Sequence, residues 1–242
     1  VERKQYMFSM LSTQQVNQMY EQSYQQTLSE ASGKGQLDKN SSNAKRVNAI
    51  AQRLIAQAPV FRPDSAQWDW QVNLIDSEEL NANCGPGGKI IVYSGLIEQL
   101  KLSDDELAAV MGHEIAHALR EHGREAMSKA YATQMAQQGV GALLGLGQES
   151  MALAASVVQY SMTLPNSRDN ENEADLIGLE LSARAGYDPQ AAISLWQKMS
   201  SNSAGAPPEF MSTHPSSSSR IAALQGAIPK VMPLYQQAKA AR

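Results

Sequence analysis

The segment VMGHEIAHALREHGREA, beginning at Val110, carries three of the chain's four histidines and contains the pattern H-E-x-x-H. Residues four apart on a helix lie one above the other. His113 and His117 therefore project the same way, and each can offer an imidazole nitrogen to one ion about 2.0–2.1 Å away. Glu114 stands about 100° round the helix from His113, an offset suited to reaching water on the ion rather than the ion itself. Zinc lowers the pKa of bound water to about 7, and a neighbouring carboxylate can take the proton as that water attacks a carbonyl. The chemistry on offer is metal-assisted hydrolysis. It competes with a plain alternative, a solvated helix with a chance spacing, and a third ligand decides between them.

The metzincin arrangement would place a third histidine six residues after the second and a glycine three after it. Here those positions are Gly123 and Arg120, so that arrangement is excluded. His122 is one position off and turned to another face, which predicts a satisfied surface histidine. The later segment SRDNENEADLIGLE offers carboxylates instead. Glu171 and Asp175 are four apart and share a helical face; Glu173 lies nearly opposite Glu171, so the two cannot both touch one ion. Glu171 can complete a site with two histidines and an open fourth position. Asp175 can accept a hydrogen bond from the far nitrogen of a ligand histidine and fix its tautomer. By itself, the cluster could equally be an acidic first turn favourable to the helix dipole.

Elements to position these residues are legible in the periodicity. STQQVNQMYEQSYQQTLSEA places Val16, Met19, Tyr20, Tyr24, Thr27 and Leu28 on one helical stripe, with Ser12 or Thr13 as cap. NAKRVNAIAQRLIAQA turns Val47, Ile50, Leu54 and Ile55 inward and ends at Pro59. The period then changes to two: Trp68, Trp70, Val72 and Leu74 share one face of a strand. LNANCGPGGKIIVYSG reads as two further strand segments around a Gly-rich turn, with Ser94 capping a short helix. The capping box Ser103/Glu106 opens an active-site helix expected over about 103–137, and a third-ligand helix is expected over about 169–185. With a small sheet placed early, many helices and no convincing linker, the chain reads as a mostly helical α+β protein in one domain, 1–242.

Bulk properties remove several classes. Twenty Lys and Arg against 24 Asp and Glu give a net charge of −4, which argues against a nucleic-acid binder and for a protein or peptide partner. The single cysteine, Cys84, excludes an internal disulfide framework and reads as a small strand residue rather than a reactive thiol. The apolar stretch Gly139 to Val158 is interrupted by Gln148 and Glu149, so a buried helix pair with a glycine turn is expected, not a membrane span. The start VERKQYMF has no signal-like pattern, which predicts a chain whose targeting segment has been removed.

HEIAH at 113–117, followed by S-R-x-x-E-x-x-A-D at 167–175, resembles the gluzincin family that contains the CAAX prenyl proteases and the bacterial HtpX proteases. Within it, the chain is similar to the soluble periplasmic branch, whose members are often lipoproteins. The V-x-R-K-Q start, NANCGPGGKIIVYSGLI and STHPSSSSRI also fit that pattern, so the resemblance covers nearly the whole chain. It implies a zincin-like domain whose small sheet sets an edge strand beside the active-site helix. It implies one zinc ion per chain held by His113, His117 and Glu171 (not Glu173), with Asp175 as orienting partner and Glu114 as general base. Substrate is implied to lie along the segment containing Asn81, Asn83 and Cys84, and an unpaired strand edge is also the natural way to hold an extended peptide in register. His214, in Thr-His-Pro, is implied to approach the metal, either filling the open position at rest or steadying the developing oxyanion. The function implied is a zinc endopeptidase acting on misfolded or misassembled envelope proteins, in the periplasm, with an N-terminal membrane anchor and contact with envelope assembly machinery. The rival is a chaperone-like binding module kept latent by the His214 loop.

Overall fold

The computed structural model describes residues 11–138, 148–201 and 208–241. Helix α1 (Thr13–Gly33) starts where Ser12 closes a reciprocal capping box with Gln15, and it buries Val16, Tyr20 and Tyr24. Helix α2 (Ser42–Gln57), capped by Ser41, buries Ala44, Val47, Ile50, Ala51 and Leu54 in the main core.

Four strands form one mixed sheet in the order β1-β2-β4-β3: β1 (Leu37–Asp38), β2 (Gln71–Ile75), β3 (Ala82–Gly85) and β4 (Lys89–Tyr93). Strand β2 runs parallel to β4 in the register Val72↔Ile90 and Leu74↔Val92, while β3 is antiparallel to β4 and forms the edge. The turn between β3 and β4 needs two left-handed residues, and Gly87 and Gly88 supply them at φ +80° and +88°. The strand beginning at Trp68 is shorter than its alternation suggests. Trp68 instead ends a 3₁₀ turn (Pro63–Gln67), and the Trp70 indole donates to the Ser65 carbonyl ahead of β2. Ser94 does not cap α3 (Ser94–Gln99) but lies within it. Its hydroxyl donates to Asp76 Oδ1 and accepts from the Ser77 N–H, which ties down the β2–β3 connection.

Helix α4 (Asp104–Leu119) is the central element. Both bonds of the Ser103/Glu106 capping box are present, and the Glu106 carboxylate also accepts from Ser194 and Lys198 on α8 (Ala191–Ser200). From Glu106 to Leu119 every residue except Ala109 is buried, as expected of a helix packed on all sides. The single helix expected over 103–137 is divided: α4 stops at Leu119, Glu121 takes φ +53°, and α5 (His122–Gln138) sets off anew. Neither glycine in the segment causes this. Contacts of the Glu121 carboxylate with Thr13 Oγ1 at 2.9 Å and Arg62 Nη1 at 3.6 Å hold the unusual backbone, while Gly123 lets the chain pass close to Pro86.

Beyond α5 comes α6 (Gln148–Thr163), which joins α1 and α5 in a second core containing Tyr20, Tyr24, Met127, Val157 and Val158. The glycine turn expected near the start of the 139–158 stretch lies outside the described residues, and among these no helix is long and apolar enough to cross a membrane. Helix α7 (Arg168–Arg184) crosses α4 at a glycine pair. A Cβ on Gly178 would fall 2.8 Å from His113 N and 2.9 Å from its Cα, and one on Gly112 would meet Ser182 Oγ at 2.8 Å. The remaining helices are α9 (Glu209–Thr213) and α10 (Ser218–Ala240), and α10 packs on α7 and α8.

The glycine crossing yields an expectation. Gly178→Ala forces two helix backbones apart and is expected to cost about 1–3 kcal/mol in urea unfolding. Because it also shifts the α7 carboxylates from His113, metal retention in equilibrium dialysis should fall with it. A change within about 0.5 kcal/mol and unaltered retention would mean that the crossing tolerates a methyl group.

Candidate metal centre

Helix α4 presents His113 and His117 side by side, with their Nε2 atoms 3.1 Å apart. The first turn of α7, capped by Ser167 accepting from Asn170 N, brings Glu171 against both. Its Oε2 lies 3.0 Å from His113 Nε2 and its Oε1 lies 3.1 Å from His117 Nε2. Donors about 2.0–2.1 Å from a tetrahedral ion stand about 3.3–3.4 Å from one another, so the two imidazoles and the carboxylate that faces them, which bound the donor triangle, have nearly the spacing zinc needs. The two oxygens of Glu171 are buried with no aligned hydrogen-bond donor, although Arg220 Nη2 approaches Oε2 at 2.9 Å. Buried carboxylate lone pairs are seldom left unused, and a cation in the triangle would engage them. The residues present fit a zinc ion.

Asp175, one turn further along α7, places Oδ1 3.1 Å from His113 Nδ1, on the far side of the ring from the triangle. Glu114 sits outside the triangle. Its Oε1 is 2.8 Å from His214 Nε2, and one carboxylate oxygen lies with nitrogens of His113, His117 and His214 in a cluster within 4.8 Å. His214 comes from the turn after α9. It is buried rather than loose, its ring stacked on Phe210 at 4.0 Å with Nδ1 2.9 Å from the Phe210 carbonyl.

The electrostatics favour positive charge where the donors converge. Burial alone would lower the His113 pKa, yet the Glu171 and Asp175 carboxylates push it up to about 10. Burial would raise the carboxyls of Glu171 and Glu114. The imidazoles of His113 and His117 outweigh it at Glu171, and those of His214, His117 and His113 outweigh it at Glu114, so both are held below the usual range. Asp175 is likewise held low against burial, by Arg220 and His113. Carboxylates that favour a proton on His113 would equally favour a cation in its place.

An open cleft of about 280 Å³ runs past these groups. Its lining includes the edge-strand region, with Asn81, Asn83 and Cys84, and also Leu164, Asn166 and Thr213. Asn83 is fixed by the Tyr20 hydroxyl, which donates to its Oδ1 at 3.2 Å. Burial pushes the Cys84 thiol well up, which makes it a poor nucleophile.

The expectation of a surface histidine at 122 is overturned. His122 is 2% exposed, with Nδ1 2.7 Å from His117 Nδ1 and Nε2 3.2 Å from Glu173 Oε2. The break at Glu121 is the cause, because it swings His122 back over the preceding helix. Arg220 was also missed. This residue of α10 is 3% exposed, and its guanidinium bonds both oxygens of Asp175 at 2.7 Å, donates to the Pro215 carbonyl and lies over Trp196 at 4.5 Å. Only its place in STHPSSSSRI could have signalled it, since helical periodicity does not flag a buried arginine.

The cluster of histidines and carboxylates is one that could hold a metal ion, and comparison with known sequences gives the chain's family. Residues 41–228 match Peptidase family M48, and the chain belongs to that family of metallopeptidases. It is 36% identical over 176 residues to the mitochondrial metalloendopeptidase OMA1 of Arabidopsis thaliana, covering 72% of this chain and 35% of that protein. For OMA1 of Schizosaccharomyces pombe the identity is 33% over 186 residues, 76% of this chain and 52% of the relative. The beta-barrel assembly-enhancing protease of Escherichia coli is 30% identical over 206 residues, 79% of this chain and 40% of the relative. The chain thus spans about a third to a half of the length of these relatives.

Proposed function

We propose that the chain is a zinc-dependent endopeptidase, acting as one domain over 1–242, in which His113, His117 and Glu171 hold one zinc ion. The observation that supports this most is the convergence of their donor atoms: the two imidazole Nε2 atoms lie 3.1 Å apart, and each faces one Glu171 oxygen at 3.0–3.1 Å. Zinc, when bound, supplies Lewis-acid polarisation of the scissile carbonyl and lowers the pKa of water to about 7. Glu114, kept ionised by the imidazoles around it, takes the proton from the attacking water and delivers it to the leaving amine. Asp175 accepts from His113 Nδ1 and fixes the tautomer that leaves Nε2 bare. His214, aimed into the same space, donates to the oxyanion as it develops. An extended substrate lies along β3, pairing with its open edge where Asn81, Asn83 and Cys84 line the cleft.

The substrates we propose are misfolded or misassembled envelope polypeptides. The protein would work in the periplasm, associated with the membrane and close to envelope assembly machinery. The likeness to the E. coli assembly-enhancing protease supports this reading. The contact between His214 Nε2 and Glu114 Oε1 at 2.8 Å favours a second reading, a chaperone-like module that holds polypeptide while its zinc site stays latent. Cleavage of casein separates the two. The zinc-loaded chain should cut it, and a chelator should stop the reaction until zinc is restored. Binding of casein without cleavage at any zinc concentration would contradict the endopeptidase and leave the latent module.

A further inference from the structure

On the side of His117 away from the donor triangle, a chain of buried polar groups continues. His117 Nδ1 lies 2.7 Å from His122 Nδ1, with ring centroids 5.0 Å apart at 69°. His122 Nε2 lies 3.2 Å from Glu173 Oε2, and the same oxygen accepts from Arg120 Nε at 2.8 Å. His122 and Glu173 are 2% and 3% exposed. On one continuous helix a residue five places after His117 would stand about 140° round the axis, too far to meet it. The left-handed Glu121, at φ +53°, turns the backbone so that the two rings face each other.

Two imidazole nitrogens at hydrogen-bond distance share one proton, so one donates and the other accepts. To offer a lone pair at Nε2, the atom facing His113 and Glu171, a neutral His117 must carry its proton on Nδ1. That proton is then donated to His122 Nδ1, and a neutral His122 carries its own on Nε2. An ionised carboxylate can only accept, and Glu173 stands where this Nε2–H must go. The reverse polarity, with His122 Nδ1–H donating to His117, would put the His117 proton on Nε2, the one atom that must be bare. Arg120 keeps Glu173 an acceptor by pairing with it.

We infer that Glu173, acting through His122, fixes the tautomer of His117 and so holds its Nε2 free for the metal; both are positioning residues. The inference rests on the zinc reading proposed above. It makes the two histidine ligands unequal: His113 has a carboxylate directly on its Nδ1, whereas His117 has a neutral ring with a carboxylate one step beyond. It also gives the break between α4 and α5 a purpose, since an unbroken helix would carry His122 away.

The zinc-loaded chain labelled with ¹⁵N-histidine tests this, since only four histidines contribute. Expected are Nδ1–H on His117 and Nε2–H on His122. Competition with a chelator should show zinc dissociation constants raised about 10–100-fold in His122→Ala and in Glu173→Ala. An Nδ1–H tautomer at His122 in the parent protein would overturn the inference even if neither variant folds, and so would parent-like affinity in both variants. A parent chain that binds no zinc would instead overturn the proposed function, and this inference with it.

Discussion

Glu114→Gln should lower kcat for casein or peptide cleavage by about 10²–10⁴-fold while leaving one zinc bound per chain. The two readouts separate because Glu114 lies outside the triangle of donor atoms: His113, His117 and Glu171 approach one another at 3.0–3.1 Å without it. Glutamine matches the size of the buried side chain, so the packing between α4 and the α9 turn survives. What it lacks is the capacity to accept a proton from water and pass it on. The glutamine oxygen can still accept from His214 Nε2, so the contact between the two side chains is kept while the chemistry is lost. Stoichiometry from atomic absorption, read beside the cleavage rate, checks both halves. A rate within tenfold of the parent would mean that another group takes the proton.

The second large effect is expected at Arg220, in a region where nothing reacts. Its guanidinium is the common counter-charge of Asp175 and Glu171, at 2.7 Å and 2.9 Å, and it also holds the Pro215 carbonyl beside His214. Arg220→Met keeps apolar volume against Trp196 but takes the guanidinium from two buried carboxylates, leaving His113 as their remaining shared basic neighbour. Removing one partner of a buried charge network costs about 3–5 kcal/mol. Urea unfolding in a chelator should show a loss of that order. With zinc in excess the loss should be smaller, because an ion held by Glu171 takes over part of the neutralisation. A loss below about 1 kcal/mol in chelator would show that solvent already screens these carboxylates.

Much of this arrangement could be read from the residues alone, for reasons that differ by element. The pairing of His113 with His117 follows from helix geometry, and the facing of Glu171 and Asp175 follows from the same spacing on a second helix. The capping box at Ser103 is local, so its sequence signal and its structure coincide, and of the two caps offered for the first helix, Ser12 or Thr13, the structure uses Ser12. The fold class was legible because the periodicity changes from 3.6 to two and back only once. What escaped depends on contacts between distant segments. The break at Glu121 is held by Thr13 and Arg62, more than 50 residues away, and no glycine or proline marks it. His122 therefore looked outward in sequence and is buried in the structure. Arg220 meets its partners only because α10 folds back across α7. The parallel pairing of β2 with β4 has no local signature either. The donors and the carboxylate of Asp175 behind His113 were visible in the sequence; the contacts of His122, Glu173 and Arg220 were not.

Crystals of the zinc-loaded chain, measured on both sides of the zinc absorption edge, test the central claim most directly. The account predicts one anomalous peak bonded to His113 Nε2, His117 Nε2 and the Glu171 carboxylate, with a further position open to water. A peak bonded to a different set of side chains, or an ion enclosed by four protein donors, would contradict it.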